Sequence, residues 1–431
     1  MRLLFSLLAC LALVPRAEAQ NTKPNVVVIV ADDLGWNDIG TRNPKIVTPN
    51  LVKLAKDGVE LQRFYGYPVC SPARAGLLTG VLPRRLGLVN VIMPGQAGIT
   101  KATPTLPARL KSAGYATSLI GKWHLGNQNP PAAVGFDHFY GFMGAELDYM
   151  KHTDKRGKPD WQRDGKQIEE SGYTTYLFAD EASKQIRNRD KAKPFFIEVA
   201  FNAPHIDLAA PEDLIAKHKS DGLYGAVVEG LDIGIGRILS TLDEQGLRDN
   251  TLVIFVSDNG APRPTGSNAP LRGYKASVDE GGIRTPAIVR WPKHVPAGAK
   301  LEQPIAIIDL FPTIAAATNL PLTAELKIDG INQWPALAGG KPLPRPAFLV
   351  ASMDIALFDG DWKLVETNAG QRTLYNLRAD ISETKDLLAA QPELAAKLGA
   401  QLDTLKKDLP AYSGGSIGPG GGKGGKGKGK K

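Results

Sequence analysis

Residues 25–33 read Asn-Val-Val-Val-Ile-Val-Ala-Asp-Asp. The first seven carry no charge, and Val26 through Val30 are β-branched without a break. A half-solvated strand would alternate apolar with polar residues; this run does not, so it predicts a strand buried on both faces, as inside a parallel sheet. Such a strand needs helices above and below it. Thr48-Pro49 reads as a helix start, with Pro in the first turn. Further apolar runs at 115–120, 195–201, 252–257 and 287–291 predict strands, and helical patterns lie near 105–113, 173–189, 223–245 and 309–317. Buried strands alternating with helices predict an α/β fold: a large, mostly parallel sheet flanked by helices on both faces.

The pattern changes after about residue 336. Short strands are expected at 348–352, 362–365 and 373–376, followed by a helix near 391–408. This predicts a small antiparallel sheet with a helix, a C-terminal α+β subdomain over 336–412 beside a catalytic domain over 20–335. Residues 413–431 are almost wholly Gly and Lys, which bury no apolar surface, so a disordered tail is expected.

The opposite end carries its own signal. Met1-Arg2 precedes a nearly unbroken apolar run, Leu3 to Val14, and Ala17-Glu18-Ala19 offers a small-x-small cleavage site. Residues 1–19 therefore read as a signal peptide and the protein as exported, periplasmic or secreted. No stretch reaches the length of a transmembrane segment. Cleavage removes Cys10 and leaves Cys70 as the one cysteine of the mature chain, so no internal disulfide forms. Of the formal net charge of +8, the tail lysines (Lys423, Lys426, Lys428, Lys430 and Lys431) supply five and the leader one, leaving +2 on the body. That is no nucleic-acid footprint.

Chemistry gathers at the predicted strand ends. Asp32-Asp33 closes the first strand, where open α/β sheets place their ligands, and two adjacent carboxylates call for a cation or a shared proton. The strand 252–257 ends in Asp258-Asn259-Gly260. Together these offer an all-oxygen set that suits Ca²⁺ or Mg²⁺ and not Zn²⁺. Cys70-Ser71-Pro72-Ala73-Arg74 reads as a helix start, with Ser71 as N-cap. Cys70 then lies at a helix N-terminus with Arg74 one turn on, an arrangement that faces an anion. Lys122 and His124 follow the strand at 115–120, and His205 follows the strand at 195–201. Lys275 sits in a Gly-rich loop before the strand at 287–291 and is a further anion-binding candidate.

This ordered set, Asp-Asp, Cys-x-Pro-x-Arg, Gly-Lys-Trp-His-Leu-Gly, Pro-His, Asp-Asn-Gly and Leu-Arg-Gly-x-Lys, resembles the type I sulfatase family of the alkaline-phosphatase superfamily over about residues 24–290. Leu88 to Gln96, Gly135-Phe136-Asp137 and Gly141 to Asp148 look like the arylsulfatase B subgroup, which removes 4-sulfate from N-acetylgalactosamine in glycosaminoglycans. The resemblance implies that a formylglycine-generating enzyme oxidises Cys70 to Cα-formylglycine. It implies one Ca²⁺ bound by Asp32, Asp33, Asp258, Asn259 and the modified residue 70, and a sulfated carbohydrate as substrate. Arg74, Lys122 and Lys275 would hold the sulfate, His205 and Lys275 would protonate the departing alcohol, and His124 would take a proton from the hydrated aldehyde. The chain departs from the common pattern at Ala73, Gly76, Tyr274 and Val278-Asp279. A phosphonate or phosphate monoester hydrolase of the same superfamily and a non-catalytic glycan-binding protein are the alternatives.

Overall fold

The computed structural model describes residues 23–93, 96–219 and 222–410; the expected leader 1–19 and tail 413–431 lie outside them. One large sheet is built from β1 (Asn25–Ala31), β2 (Val59–Tyr65), β3 (Ala116–Lys122), β4 (His138–Phe142), β5 (Gln162–Arg163), β6 (Lys166–Gln167), β7 (Phe195–Ala200), β8 (Thr251–Ser257), β9 (Ala287–Arg290) and β10 (Ala299–Ala306). The strand order is β10-β2-β9-β8-β1-β7-β3-β4-β5-β6. β1 lies parallel to both β7 and β8, and β3 parallel to both β7 and β4. β9 runs antiparallel between β8 and β2, so the sheet is mixed with a parallel centre.

β1 shows why its sequence lacks alternation. Val26, Val28 and Val30 enter one apolar core, together with Leu77 and Leu78 of the helix Cys70–Thr79 and Phe311 and Ile314 of the helix Leu310–Ala317. Val27, Ile29 and Ala31 enter the other, with Leu51 and Leu54 of the helix Pro49–Lys56, Phe178 of the helix Thr174–Arg187 and Leu231 of the helix Gly222–Glu244. Each face of the strand is covered, so each face must be apolar.

A second sheet of β11 (Phe348–Ala351), β12 (Ile355–Asp359), β13 (Trp362–Glu366) and β14 (Arg372–Asn376) is antiparallel throughout, and the helix Pro392–Leu405 follows it. Leu349, Leu357, Leu364 and Leu374 join the first core, so the small sheet packs on the large one without an apolar seam of its own.

Five strands of the large sheet, β2, β4, β5, β6 and β10, escape the sequence reading. β2 (Val-Glu-Leu-Gln-Arg-Phe-Tyr) hides its apolar character behind Glu60 and Arg63, which find partners in Arg42 at 3.1 Å and Asp361 at 2.7 Å. β10 contains Pro304, at a register shift where the missing N–H is tolerated. β4 carries a histidine and a glycine in five residues.

Candidate active site

Four neighbouring strands, β8, β1, β7 and β3, end on the same edge, and each delivers polar residues there. β1 continues into Asp32 and Asp33, β8 into Asp258 and Asn259, β3 ends on Lys122 with His124 beyond it, and β7 leads to Asn202 and His205. Asp32, Asp258 and Asn259 are fully buried, and Asp33 and Lys122 nearly so. The helix Cys70–Thr79 follows β2 and presents Cys70 at its first position. The structure therefore brings together every residue that the sequence singled out for this chemistry.

Side chains along an extended strand alternate in direction, so two consecutive carboxylates do not ordinarily meet at one point. Here Asp33 adopts a left-handed backbone, φ +71°, and its N–H donates to Asp258 Oδ1 at 3.2 Å. His124 is also left-handed, φ +50°. Such conformations cost about 1–2 kcal/mol per residue, and strained backbone of this kind clusters at functional sites. Gly66 supplies a different allowance: a Cβ there would stand 2.2 Å from the Asp258 carbonyl oxygen, so only glycine lets the chain after β2 pass the metal-ligand candidates this closely.

Three carboxylates face three cations. Lys122 Nζ donates to Asp32 at 2.5 Å, and Lys275 Nζ lies 2.7 Å from Asp33. The Arg74 guanidinium lies 3.1 Å from Asp258 and 3.7 Å from Asp32. Cys70 Sγ is 3.3 Å from Asp32 and 3.5 Å from Lys275 Nζ. His205 Nε2 is 3.7 Å from Asp33.

The electrostatics follow from this packing. Burial alone would raise the Asp32 carboxyl; Lys122, His205, Arg74 and Lys275 outweigh it and hold the group well below the usual carboxylate range. Burial pushes Asp258 up, and the Asp32 charge adds to this against the pull of Arg74. Burial opposes the charge of Lys275, yet Cys70, Asp33 and Asp32 keep it well above the ordinary lysine range. Burial and Asp32 push the Cys70 thiol up, so little thiolate forms. His124 is held well below the usual histidine range by burial, then by Lys122 and Arg74. Its two ring nitrogens are buried and unpartnered among the described residues, so their hydrogen-bonding capacity is unspent.

The cluster offers a group of side chains that could hold a metal ion. Asp32, Asp33, Cys70 and His205 each offer an atom within 4.8 Å of the others. Asn259 donates its amide to Asp33 at 2.6 Å, leaving its buried Oδ1 without a partner among the described residues. Carboxylates with an orphaned amide oxygen form the ligand chemistry of Ca²⁺ or Mg²⁺. Since three side-chain cations already balance the three carboxylates, an added divalent ion would leave the site positive and ready for an anion.

Three features lay outside the sequence reading. Tyr149, fully buried, donates its hydroxyl to the carbonyls of Asn202 at 3.0 Å and His205 at 2.8 Å, and so fixes the loop that carries His205. Glu198, on β7, is buried beside Arg74 with Oε2 unpartnered among the described residues. A tyrosine in a loop and an acid inside an apolar strand carry no motif; the acid's place in a buried strand was the signal available. Third, Ser71 is not the helix cap. The helix begins at Cys70, and Ser71 Oγ instead accepts from the Ile92 N–H at 3.0 Å, which ties the 88–93 loop to the helix start. Cys70 keeps its place at the helix N-terminus.

An open cavity of about 460 Å³, lined by Glu146, Asp148, Lys151, Asp154, Lys155 and Asp207 among others, adjoins this cluster. It shares Glu146 and Leu147 with a narrow crevice walled by Asp32, Tyr149, Asn202 and His205.

The family model Sulfatase matches residues 24–320. N-acetylgalactosamine-6-sulfatase of Homo sapiens is 36% identical over 354 residues, covering 75% of this chain and 68% of its own length. The crystal structure of Ps i-CgsB in complex with k-i-k-neocarrahexaose shares 31% identity and superposes with a TM-score of 0.85 over 91% of this chain and 94% of that one. A Bacteroides thetaiotaomicron protein, BT33336S-sulf, from a study of glycosaminoglycan metabolism, shares 27% identity with a TM-score of 0.78 over 90% of this chain and 100% of that one.

Proposed function

We propose, from the premise that this chain belongs to the sulfatase family, that it hydrolyses the sulfate ester of a sulfated carbohydrate through a formylglycine made from Cys70. The observation that carries the reading is the convergence of Cys70, Arg74, Lys122 and Lys275 on one buried point rimmed by Asp32, Asp33, Asp258 and Asn259.

Asp32, Asp33, Asp258 and Asn259 would hold one Ca²⁺, which supplies a Lewis acid beside residue 70. Cα-formylglycine, as its hydrate, supplies a hydroxyl nucleophile and a route to expel sulfate by re-forming the aldehyde, which a thiol lacks. The intact Cys-x-Pro-x-Arg run, Cys70 to Arg74, and the free state of Cys70 support this conversion by a formylglycine-generating enzyme.

The side chains then divide the work. Arg74, Lys122 and Lys275 surround residue 70 with fixed positive charge and orient the sulfate as charge shifts toward the departing oxygen. His205 borders both the crevice and Asp33, where it and Lys275 meet the leaving alcohol and give it a proton. His124, neutral and unpartnered, takes the proton released from residue 70. The alcohol and its sugar leave through the adjoining cavity, whose carboxylates and lysines suit hydroxyl groups. The leader 1–19 supports export; among the described residues no helix is long and apolar enough to cross a membrane.

The sulfate position is the open choice. The 88–96 and 141–148 stretches favour a 4-sulfate of N-acetylgalactosamine, whereas a relative at 36% identity is by name a 6-sulfatase. The decisive assay measures sulfate release from 4-O- and 6-O-sulfated N-acetylgalactosamine saccharides by protein co-produced with a formylglycine-generating enzyme, beside Cys70→Ala. Release that disappears in Cys70→Ala supports the reading and names the position. Full activity in Cys70→Ala, or faster turnover of aryl phosphate than aryl sulfate, overturns it.

A further inference from the structure

Lys275 reaches the site from a loop that is anchored elsewhere. The segment after Asn268 turns back so that Ala276 N–H donates to the Pro68 carbonyl at 2.7 Å and Gly281 N–H to the Arg272 carbonyl at 2.6 Å. A Cβ at Gly281 would lie 2.5 Å from the Gly273 carbonyl oxygen, so the two limbs of the loop touch backbone to backbone. Glu280, at the start of the short helix Glu280–Ile283, is therefore rigidly linked to Lys275.

Glu280 is held in turn by the small C-terminal sheet. Lys363 Nζ, on β13, lies 3.0 Å from Glu280 and 2.8 Å from Glu383, and all three residues are fully buried. The Glu280 N–H donates to the Glu383 carboxylate at 2.8 Å, and Arg284 pairs with Glu280 at 3.2 Å. Arg272 joins the same anchor, donating to the Glu383 carbonyl at 2.6 Å and the Tyr375 hydroxyl at 3.1 Å. Packed apolar side chains would join the two sheets at less desolvation cost; charge pairs of this directness instead hold the loop to one register.

We propose that Lys363 and Glu383 are positioning residues for Lys275, acting through Glu280 and the 272–282 loop, so that the small sheet completes the anion site without touching substrate. This rests on the assignment of Lys275 to the departing oxygen.

The test uses full-length, formylglycine-bearing enzyme and aryl sulfates of graded leaving-group acidity, with Lys363→Met, Lys275→Met and the double variant. Lys363→Met is expected to lose about 10- to 100-fold in kcat/KM on the poorest leaving group and only a few-fold on the best, and the double variant to lose no more than Lys275→Met alone. Should Lys363→Met fold poorly, Arg272→Gln, at a half-exposed residue, is expected to shift the same dependence about threefold, and Lys363→Arg to restore part of the loss. Losses equal across leaving groups in Lys363→Met, or losses that add in the double variant, overturn the proposal. A flat dependence in Lys275→Met with non-additive losses strikes the role given to Lys275 and leaves the positioning standing.

Discussion

Two buried clusters of charge lie along this chain, and they differ in one respect. Asp32, Asp33 and Asp258 against Arg74, Lys122 and Lys275 balance in sign, as do Glu280 and Glu383 against Lys363 and Arg284. The first cluster stands beside atoms unpartnered among the described residues, Asn259 Oδ1 and both His124 nitrogens, and adjoins an open cavity. The second is closed over by β13 and the 272–284 loop, with Lys363, Glu280 and Glu383 at zero exposure. Burial of charge is thus no mark of a site by itself; burial with unspent hydrogen-bonding capacity beside an opening is.

The comparison breaks first at Cys70. On the proposed mechanism Cys70→Ala removes the source of the nucleophile, and turnover of aryl sulfate is expected to fall by more than about a thousandfold with the melting temperature unchanged. Next, Asp258→Asn and Asn259→Leu weaken the oxygen set: metal analysis is expected to show calcium well below one ion per chain, with activity down about a hundredfold or more. The closed cluster answers differently. Lys363→Met leaves two buried carboxylates short of a cation and is expected to cost about 3–5 kcal/mol in denaturant unfolding. Lys122→Met, the matching change in the open cluster, is expected to abolish most activity at a smaller cost in stability, because Arg74, Lys275 and His205 still face the Asp32 carboxylate it leaves. Equal stability losses in the two variants would erase the distinction.

The smallest effect concerns Glu198, which borders the open cluster without a motif of its own. Burial pushes its carboxyl up to about 7, against the pull of Arg74. A carboxyl raised in the folded state contributes stability that is present below the unfolded value of about 4.5 and lost as pH rises through 7. Glu198→Gln lacks this loss. Its advantage over the parent is expected to be absent near pH 4.5 and to grow to at most about 3 kcal/mol by pH 8, read from urea unfolding at each pH. A difference that stays constant with pH would show that Arg74 keeps Glu198 ionised throughout.

The sequence disclosed the open cluster because its chemistry follows the sheet. Apolar runs mark β1, β3, β7 and β8, and a parallel centre places their ends together, so the pattern alone gathers Asp32, Lys122, His205 and Asp258 at one edge. The closed cluster was not legible in the same way. Lys363 lies 83 residues from Glu280 in a short strand, and a single lysine there reads as solvated. Its partners are set by how the small sheet docks, which no periodicity records. β2 failed for a related reason: Glu60 and Arg63 look like solvent residues until Arg42 and Asp361 come alongside. Local pattern reveals what the backbone repeats and misses what distant elements supply.

Because β1 shares its side chains between two cores, its length has parity. Inserting or deleting one residue within 25–31 would send Val26, Val28 and Val30 to the opposite core and swing Asp32 away from Lys122 in the same step. Loops such as 153–157, on the cavity side, carry no such constraint. New preferences along the cavity are therefore open to evolution by trading loop segments, while the strand that leads into Asp32 and Asp33 accepts changes of identity and refuses changes of count.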